Sequence, residues 1–283
     1  MKNIEKKLLD PKNDYVFKRI FGYVGNEEIT KGLLSAILED VTIESLTLDC
    51  KEILEQDLKN DKFGILDIRA IIDNSVQCNI EMQMIDRKDI ESRILFYWSK
   101  LYSKSIRRGE NYNNAQRTII LLFSNYELSN LEEIQKYFTK WHICEDEYKN
   151  IILTKNLEIY IIELPKYKKY AKEKTKLSTW VKFIESPEVI DMSDIENNEA
   201  LEKAKKVLNE ISEDEKEEYL AEQRLMYIMD QKAIEAAGFD KGKKEGIRQS
   251  KEEIVKAMLQ QNIEINLISS CTGLTKEEIE NLK

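Results

Sequence analysis

Histidine is nearly absent from this chain: His142 is the single imidazole among 283 residues. That excludes zinc sites built on several histidines, the His-Glu-x-x-His peptidases and nuclease sites needing more than one imidazole. A Ser-His-Asp hydrolase would have to use His142, and no Gly-x-Ser-x-Gly elbow accompanies it. Catalysis must then rest mainly on carboxylates, amides, lysines and arginines, and carboxylates without histidine suggest Mg²⁺ chemistry. Glycine and proline are scarce too, nine and three residues, which argues against a disordered, collagenous or loop-dominated chain. Cys50, Cys78, Cys144 and Cys271 lie far apart with no Cys-x-x-Cys among them. They fit neither a zinc ribbon nor a disulfide framework and read as free thiols. No apolar run approaches the roughly 18 residues that span a bilayer. The start, Met1-Lys-Asn-Ile-Glu-Lys-Lys7, leads into polar sequence rather than a signal-peptide core. The expectation is a cytoplasmic protein with no membrane partner.

What is present is charge and aliphatic bulk. Hydrophobic residues make up 42% of the chain, enough to fill a core, and charged residues 34%. The net charge of −9 superficially disfavours nucleic acid, but phosphate contacts are made by one face, so local distribution matters more than the sum.

The chain begins with two helical patterns. Tyr15, Val16, Phe17, Ile20 and Phe21 form an apolar cluster ended by Gly22 and Gly25. Asn26 or Glu27 then opens a helix carrying Ile29, Leu33, Leu34, Ile37 and Leu38. Val41-Thr-Ile-Glu-Ser-Leu-Thr-Leu48 alternates like a short strand. A β-rich run from Gly64 to Ile72, the turn signal Asp73-Asn-Ser75 and the alternating Val76–Met84 read as a hairpin. A helix over about 87–108 follows, stopped by Gly109. Thr118–Phe123 and Leu157–Leu164 are continuous apolar runs of the kind that form buried central strands. The order α-α-β-β-β-α-β-β predicts a mixed sheet with helices against it. Beyond Pro165 come a lysine cluster of local charge +5, a helix docking Trp180 and Phe183, an acidic stretch from Glu188 to about Tyr219, and one long polar helix to Gln261. Two short helical patterns flank Thr272-Gly-Leu-Thr275, which suit a partner-docking or oligomerisation hairpin at least as well as a helix-turn-helix element.

The hairpin carries the chemistry. Asp67 lies between Leu66 and Ile68, and Glu81 and Gln83 share one face of the next strand by period two. Pairing about a centre near residue 74 sets Asp67 opposite Glu81. Two carboxylates in an otherwise apolar hairpin are costly unless paired or bound to metal, and one hard divalent cation would satisfy both. A pair of solvent-facing strand carboxylates is the bland alternative, and Gln83 read the same way is a surface amide.

The Asp…Glu-x-Gln pattern resembles the PD-(D/E)xK nuclease superfamily, and more narrowly the Rpn family of recombination-promoting nucleases, the PD-(D/E)xK transposases. The resemblance is carried by Asp10-Pro-Lys-Asn-Asp-Tyr-Val-Phe-Lys-Arg-Ile-Phe-Gly22, Gly64-Ile-Leu-Asp-Ile-Arg-Ala70, Asn79-Ile-Glu-Met-Gln-Met84, Arg93-Ile-Leu-Phe-Tyr-Trp-Ser-Lys-Leu-Tyr102 and Gly109-Glu-Asn-Tyr112. Ile162-Glu-Leu-Pro-Lys-Tyr167 and the glycine-spaced C-terminal helix extend it over nearly the whole chain. It implies an α/β, restriction-endonuclease-like mixed sheet flanked by helices, with a helical C-terminal extension. It also implies a nuclease domain over 1–185 and a helical region over 186–283. Asp67 and Glu81 would be ligands of Mg²⁺ or another divalent cation, with the Met82 carbonyl as a third. Gln83, where many relatives have lysine, would position water but supply no charge. Asp14 would hold a metal-bound water, or simply cap its helix, and Lys18, one turn on, would contact a phosphate.

Two basic segments could track DNA: Arg87, Lys88 and Arg93 in the helix after the hairpin, where the local charge is +4, and Lys168 and Lys169 after Pro165. Tyr97, Trp98 and Tyr102 either interleave with these cations at the interface or pack into the core. The expected function is Mg²⁺-dependent DNA endonuclease activity of the recombination-promoting type, with DNA as partner and homo-oligomerisation through the C-terminal helices. A catalytically decayed DNA-binding or regulatory module, motivated by the missing lysine, and a protein-interaction scaffold are the alternatives.

Overall fold

A computed structural model describes residues 7–39, 41–49, 67–86, 88–196 and 198–282. Helix α1 (Asp14–Phe21) starts where the Asn13 side chain accepts from the Tyr15 amide, and it buries Tyr15, Val16, Phe17, Ile20 and Phe21. Its end runs hard against the sheet: a Cβ added at Gly22 would sit 2.7 Å from Ile68 Cγ1. Helix α2 (Glu27–Ile37) buries Ile29, Leu33, Leu34 and Ile37, as its spacing predicts.

The sheet has six strands: β1 (Leu46–Asp49), β2 (Ile68–Ile72), β3 (Val76–Gln83), β4 (Arg117–Ser124), β5 (Phe138–Trp141) and β6 (Leu157–Glu163), in the order β1-β2-β3-β4-β6-β5. β3, β4 and β6 run parallel, and the other neighbours are antiparallel. The β2–β3 turn places Asp73 and Asn74 at φ 47° and 54°, the left-handed pair that Asp and Asn tolerate and that matches strand twist. Its register pairs Ile72 with Val76 and Ile68 with Ile80, centred on residue 74 as the sequence predicts. β5 escapes the sequence pattern. Phe138-Thr-Lys-Trp141 is a four-residue edge strand with no fully buried position.

One sheet face packs on α1, α2, α5 (Lys176–Glu185) and α7 (Glu199–Glu213), which contribute Phe17, Leu33, Trp180 and Leu208 to a single core. The acidic stretch therefore holds an amphipathic helix, whose Leu201, Ala204 and Leu208 are buried. Contact between α2 and α7 is close: a Cβ on Gly32 would meet Ala200 Cβ at 2.4 Å. Gly32→Ala is expected to push these helices apart and cost about 1–3 kcal/mol, read as a lower denaturant midpoint at unchanged slope. The opposite face is covered by α3 (Ile90–Lys104), which starts three residues later than its periodicity suggests and packs Ile90 and Ile94 on Ile120, Leu122 and Ile161. Helix α4 (Leu164–Tyr170) leads directly out of β6, and α6 (Met192–Ile195) precedes α7.

The chain divides into compact units Met1–Ile228 and Met229–Lys283. The division expected at residue 185 falls inside the first unit, because α7 and the first turns of α8 (Glu215–Gln260) supply core residues down to Ala221. In the second unit, the rest of α8 with α9 (Ile265–Thr272) and α10 (Lys276–Glu280) encloses Val255, Ile268 and Ile279. Gly273 ends α9 at φ 70°, and Thr275 and Glu278 form a capping box for α10. Among the described residues, Cys78, Cys144 and Cys271 are free thiols, and no helix is long and apolar enough to cross a membrane.

Candidate active site

The β2–β3 register, continued one pair beyond Ile68–Ile80, sets Asp67 opposite Glu81. Asp67 immediately precedes β2 rather than lying mid-strand; the start of that predicted strand, 64–66, lies outside the described residues. Alternation along β3 sends Cys78, Ile80 and Met82 into the core shared with α1 and α2. Asn79, Glu81 and Gln83 occupy the other face, the one α3 covers. There the Asn79 amide donates to Glu81 Oε1 at 2.7 Å and the Gln83 amide to Oε2 at 3.3 Å. Asn79 and Glu81 are both 2% exposed, so each Glu81 oxygen is held by an amide in a site almost closed to water.

Burial pushes both carboxyls above their ordinary values. For Glu81 the neighbouring Asp67 charge adds to the rise, while the Gln83 and Asn79 amides and Arg93 oppose it. For Asp67, Arg69, Lys18 and Arg93 pull the other way and Asp14 adds to the rise. A buried carboxyl raised further by its neighbour's charge is the kind of pair that a shared cation could neutralise.

Gln83 O accepts from the Asn125 amide on the β4 side. Successive carbonyls alternate in a strand, so the Met82 carbonyl faces the β2 side, beyond the last described pair. The Met82 side chain, by contrast, is a core group. Among the described residues, no cluster of three or more His, Cys, Asp or Glu side chains forms. Two carboxylates and a carbonyl do not make a zinc site. They do suit Mg²⁺, which takes one or two carboxylates and keeps several waters.

The structure engages Asp14 in an ion pair rather than as a helix cap. Asn13, not Asp14, caps α1, and the Asp14 carboxylate is engaged by Arg224 of α8, whose Nε reaches Oδ1 at 2.9 Å and whose Nη2 reaches Oδ2 at 2.6 Å. A bidentate arginine leaves this carboxylate little to offer a water. Lys18 is 4% exposed, and its charge acts on Asp67 rather than presenting itself to solvent.

The DNA-contact candidates separate. Arg87 lies outside the described residues. Lys88 is exposed at the approach to α3, and Arg93 lies half-buried beside the two carboxyls, with its guanidinium 5.5 Å from the Tyr97 ring centre. In the second segment Lys168 pairs with Glu185 at 2.7 Å and Lys169 with Glu127. Lys174 pairs with Asp194 at 2.8 Å, and Lys166 is buried against Glu163 at 3.0 Å. Carboxylates from other elements thus offset much of the +5. Tyr97 is buried, and Trp98 stacks on Tyr102 while its indole donates to the Thr118 carbonyl. These aromatics are packing groups.

Sequence reasoning passed over Arg69, Asn79 and Arg224. The first two carried a signal, each lying two residues from a site carboxylate on the same strand face. Arg224 carried none.

A carboxylate pair across an antiparallel hairpin, at the C-terminal end of the parallel strand β3 in a mixed sheet with helices on both faces, is the layout of a restriction-endonuclease-like nuclease. Comparison with family models gives the same answer: residues 11–237 match the PD-(D/E)XK nuclease family transposases, and the chain belongs to that family. The nuclease-like character suggested by the motifs is thereby borne out at the level of the family. Neither the curated proteins nor the solved structures contain a significant match.

Proposed function

We propose that this protein is a Mg²⁺-dependent DNA endonuclease whose cation is held by Asp67, Glu81 and the Met82 carbonyl, and whose breaks serve recombination or mobility of DNA. The observation that carries the reading is the meeting of Asp67 and Glu81 on one face of the hairpin, with each carboxyl raised by burial. When bound, the cation would polarise a phosphoryl oxygen and offset the charge that develops on it.

The chain's own groups do the rest. Asn79 and Gln83 fix the orientation of the Glu81 carboxylate through its two oxygens. Gln83, at the open end of β3, can hand a water toward the phosphorus with its carbonyl oxygen. The positive charge a motif lysine would bring comes instead from Arg93 of α3, whose charge acts on both carboxyls, and from Arg69 of β2 and Lys18 of α1, whose charges act on Asp67. A low-dielectric wall behind them, from Ile80 and Ile68, strengthens each of these interactions.

Supercoiled and linear DNA incubated with the full chain should be cut with Mg²⁺ and left intact with chelator. DNA binding without cleavage under both conditions would favour the decayed-module reading. In single-turnover assays, Gln83→Ala should slow cleavage by about 100-fold, and Gln83→Lys should keep or raise the rate by adding charge at the phosphate. A silent Gln83→Ala together with an inactive Gln83→Lys would make Gln83 a packing residue.

A further inference from the structure

The solvent side of α3 carries cations, hydroxyls, one aromatic ring and the half-exposed Leu95. Ser99, Lys100, Ser103 and Lys104 are all exposed there, and exposed Arg107 and Arg108 continue the run past the helix end. Glu91, the one acidic residue of α3, lies toward the border with Trp98 and Tyr102 and accepts from the Asn130 amide at 2.7 Å. Within this basic face Phe96 is 55% exposed. Its ring meets Tyr97 edge-on at 6.0 Å and has the Lys100 ammonium 5.9 Å from its centre.

Spacing sets these groups in a line. Arg93, Phe96, Lys100 and Lys104 follow one another at intervals of three and four residues, which makes them successive neighbours on a helix surface. Arg93 is the end of the line whose charge acts on both Asp67 and Glu81. Phe96 is the next group outward, about 4.5 Å further along the helix axis. A ring that is 55% exposed, with a cation three residues before it and another four residues after it, matches a nucleobase face attached to phosphates. A base inside a duplex shows only its edge in a groove, because both of its faces are covered by stacking.

We propose that Phe96, with Lys100, is a stacking ledge for an unpaired base next to the phosphate at the carboxylate pair, so that the preferred substrate is DNA with single-stranded character at that point. The proposal rests on the DNA-cleavage reading for its orientation along the chain. A protein partner, including a second copy, is the competing occupant.

The test is binding of a single-stranded oligonucleotide and of its duplex by the full chain in chelator, where cleavage is blocked. Phe96→Ala should weaken single-strand binding by about 5–100-fold and duplex binding by less than about twofold. Phe96→Trp should retain affinity and show indole quenching, beyond that of the wild type, with the single strand only. Lys100→Gln should lower the slope of log affinity against log salt by about 0.7 for single strands. Equal losses on both DNAs, no loss on either, or a change in oligomeric mass on Phe96→Ala would overturn the ledge. Cleavage by wild type with no Phe96 effect sinks only this inference. A Phe96-dependent single-strand preference without Mg²⁺-dependent cleavage sinks only the nuclease reading.

Discussion

Glu81→Gln is expected to lower Mg²⁺-dependent cleavage by about a thousandfold or more, and at the same time to make the metal-free protein more stable. The two effects share one cause. Glu81 is 2% exposed beside Asp67, and its carboxyl titrates above the ordinary value of 4.5. A raised folded value means that the fold favours the neutral acid. Its stabilising contribution is complete below 4.5 and is lost as the pH rises toward the raised value, where the unfolded chain ionises freely and the folded one resists. Glutamine keeps the shape without ever ionising: its oxygen can accept from one of the two amides, and its NH2 group faces the other, which must turn its own oxygen inward. In chelator, the stability advantage of Glu81→Gln should therefore be small at pH 5 and grow to on the order of 1–3 kcal/mol at pH 8. Mg²⁺ should raise the melting temperature of the wild type and leave that of the variant unchanged. Thermal melts at the two pH values decide the point. A variant less stable than wild type at pH 8 in chelator would show that the buried carboxylate is held by protein contacts alone.

The second large effect is expected at Arg224→Ala, whose partner Asp14 lies 210 residues away in sequence. Arg224 closes a bidentate bridge to Asp14 with both side chains about nine-tenths buried. Removing the guanidinium strands a buried carboxylate, a loss of about 3–5 kcal/mol and roughly 10 °C in melting temperature for a unit of this size. Neighbouring contacts make the same join: the Asn13 amide donates to the Ala221 carbonyl at 3.0 Å, and Glu217 takes Tyr15 Oη at 2.7 Å and Arg19 Nε at 2.8 Å. Asp14→Asn in the Arg224→Ala background should recover much of the loss, because the stranded charge is then gone. A double-mutant cycle that gives additive effects would show that the pair contributes nothing as a pair.

Sequence pattern carried furthest where the information was local. The Asp73-Asn74 turn fixed the hairpin centre, and one registered pair then determined which carboxylates face each other. Apolar runs located β4 and β6, because a strand buried on both faces needs no alternation. β5 was hidden because four residues with only partial burial leave no periodicity to find. The role of Asp14 was hidden for another reason: its partner lies on α8, and nothing in either local sequence refers to the other. The setting of the lysine cluster was hidden similarly. Its charge is visible in one dimension, whereas Glu127, Glu185 and Asp194, which offset it, are brought in by β4–β5 connections and by α5 and α6. On α3 the sequence left Tyr97, Trp98 and Tyr102 open between a DNA interface and the core, and helical phase turns those three toward the sheet and Phe96 outward.

The central claim is that Asp67 and Glu81 together hold the cation that cleaves DNA. Mn²⁺, a spectroscopic substitute for Mg²⁺, tests it directly through the electron paramagnetic resonance signal of the free ion. Titrated with the full-length wild type, that signal should fall with one ion bound per chain. It should remain at its protein-free amplitude with Asp67→Asn and with Glu81→Gln, and DNA cleavage should track the bound fraction across all three proteins. Undiminished Mn²⁺ binding by both variants, with cleavage at the wild-type rate, would place the metal elsewhere and contradict the account.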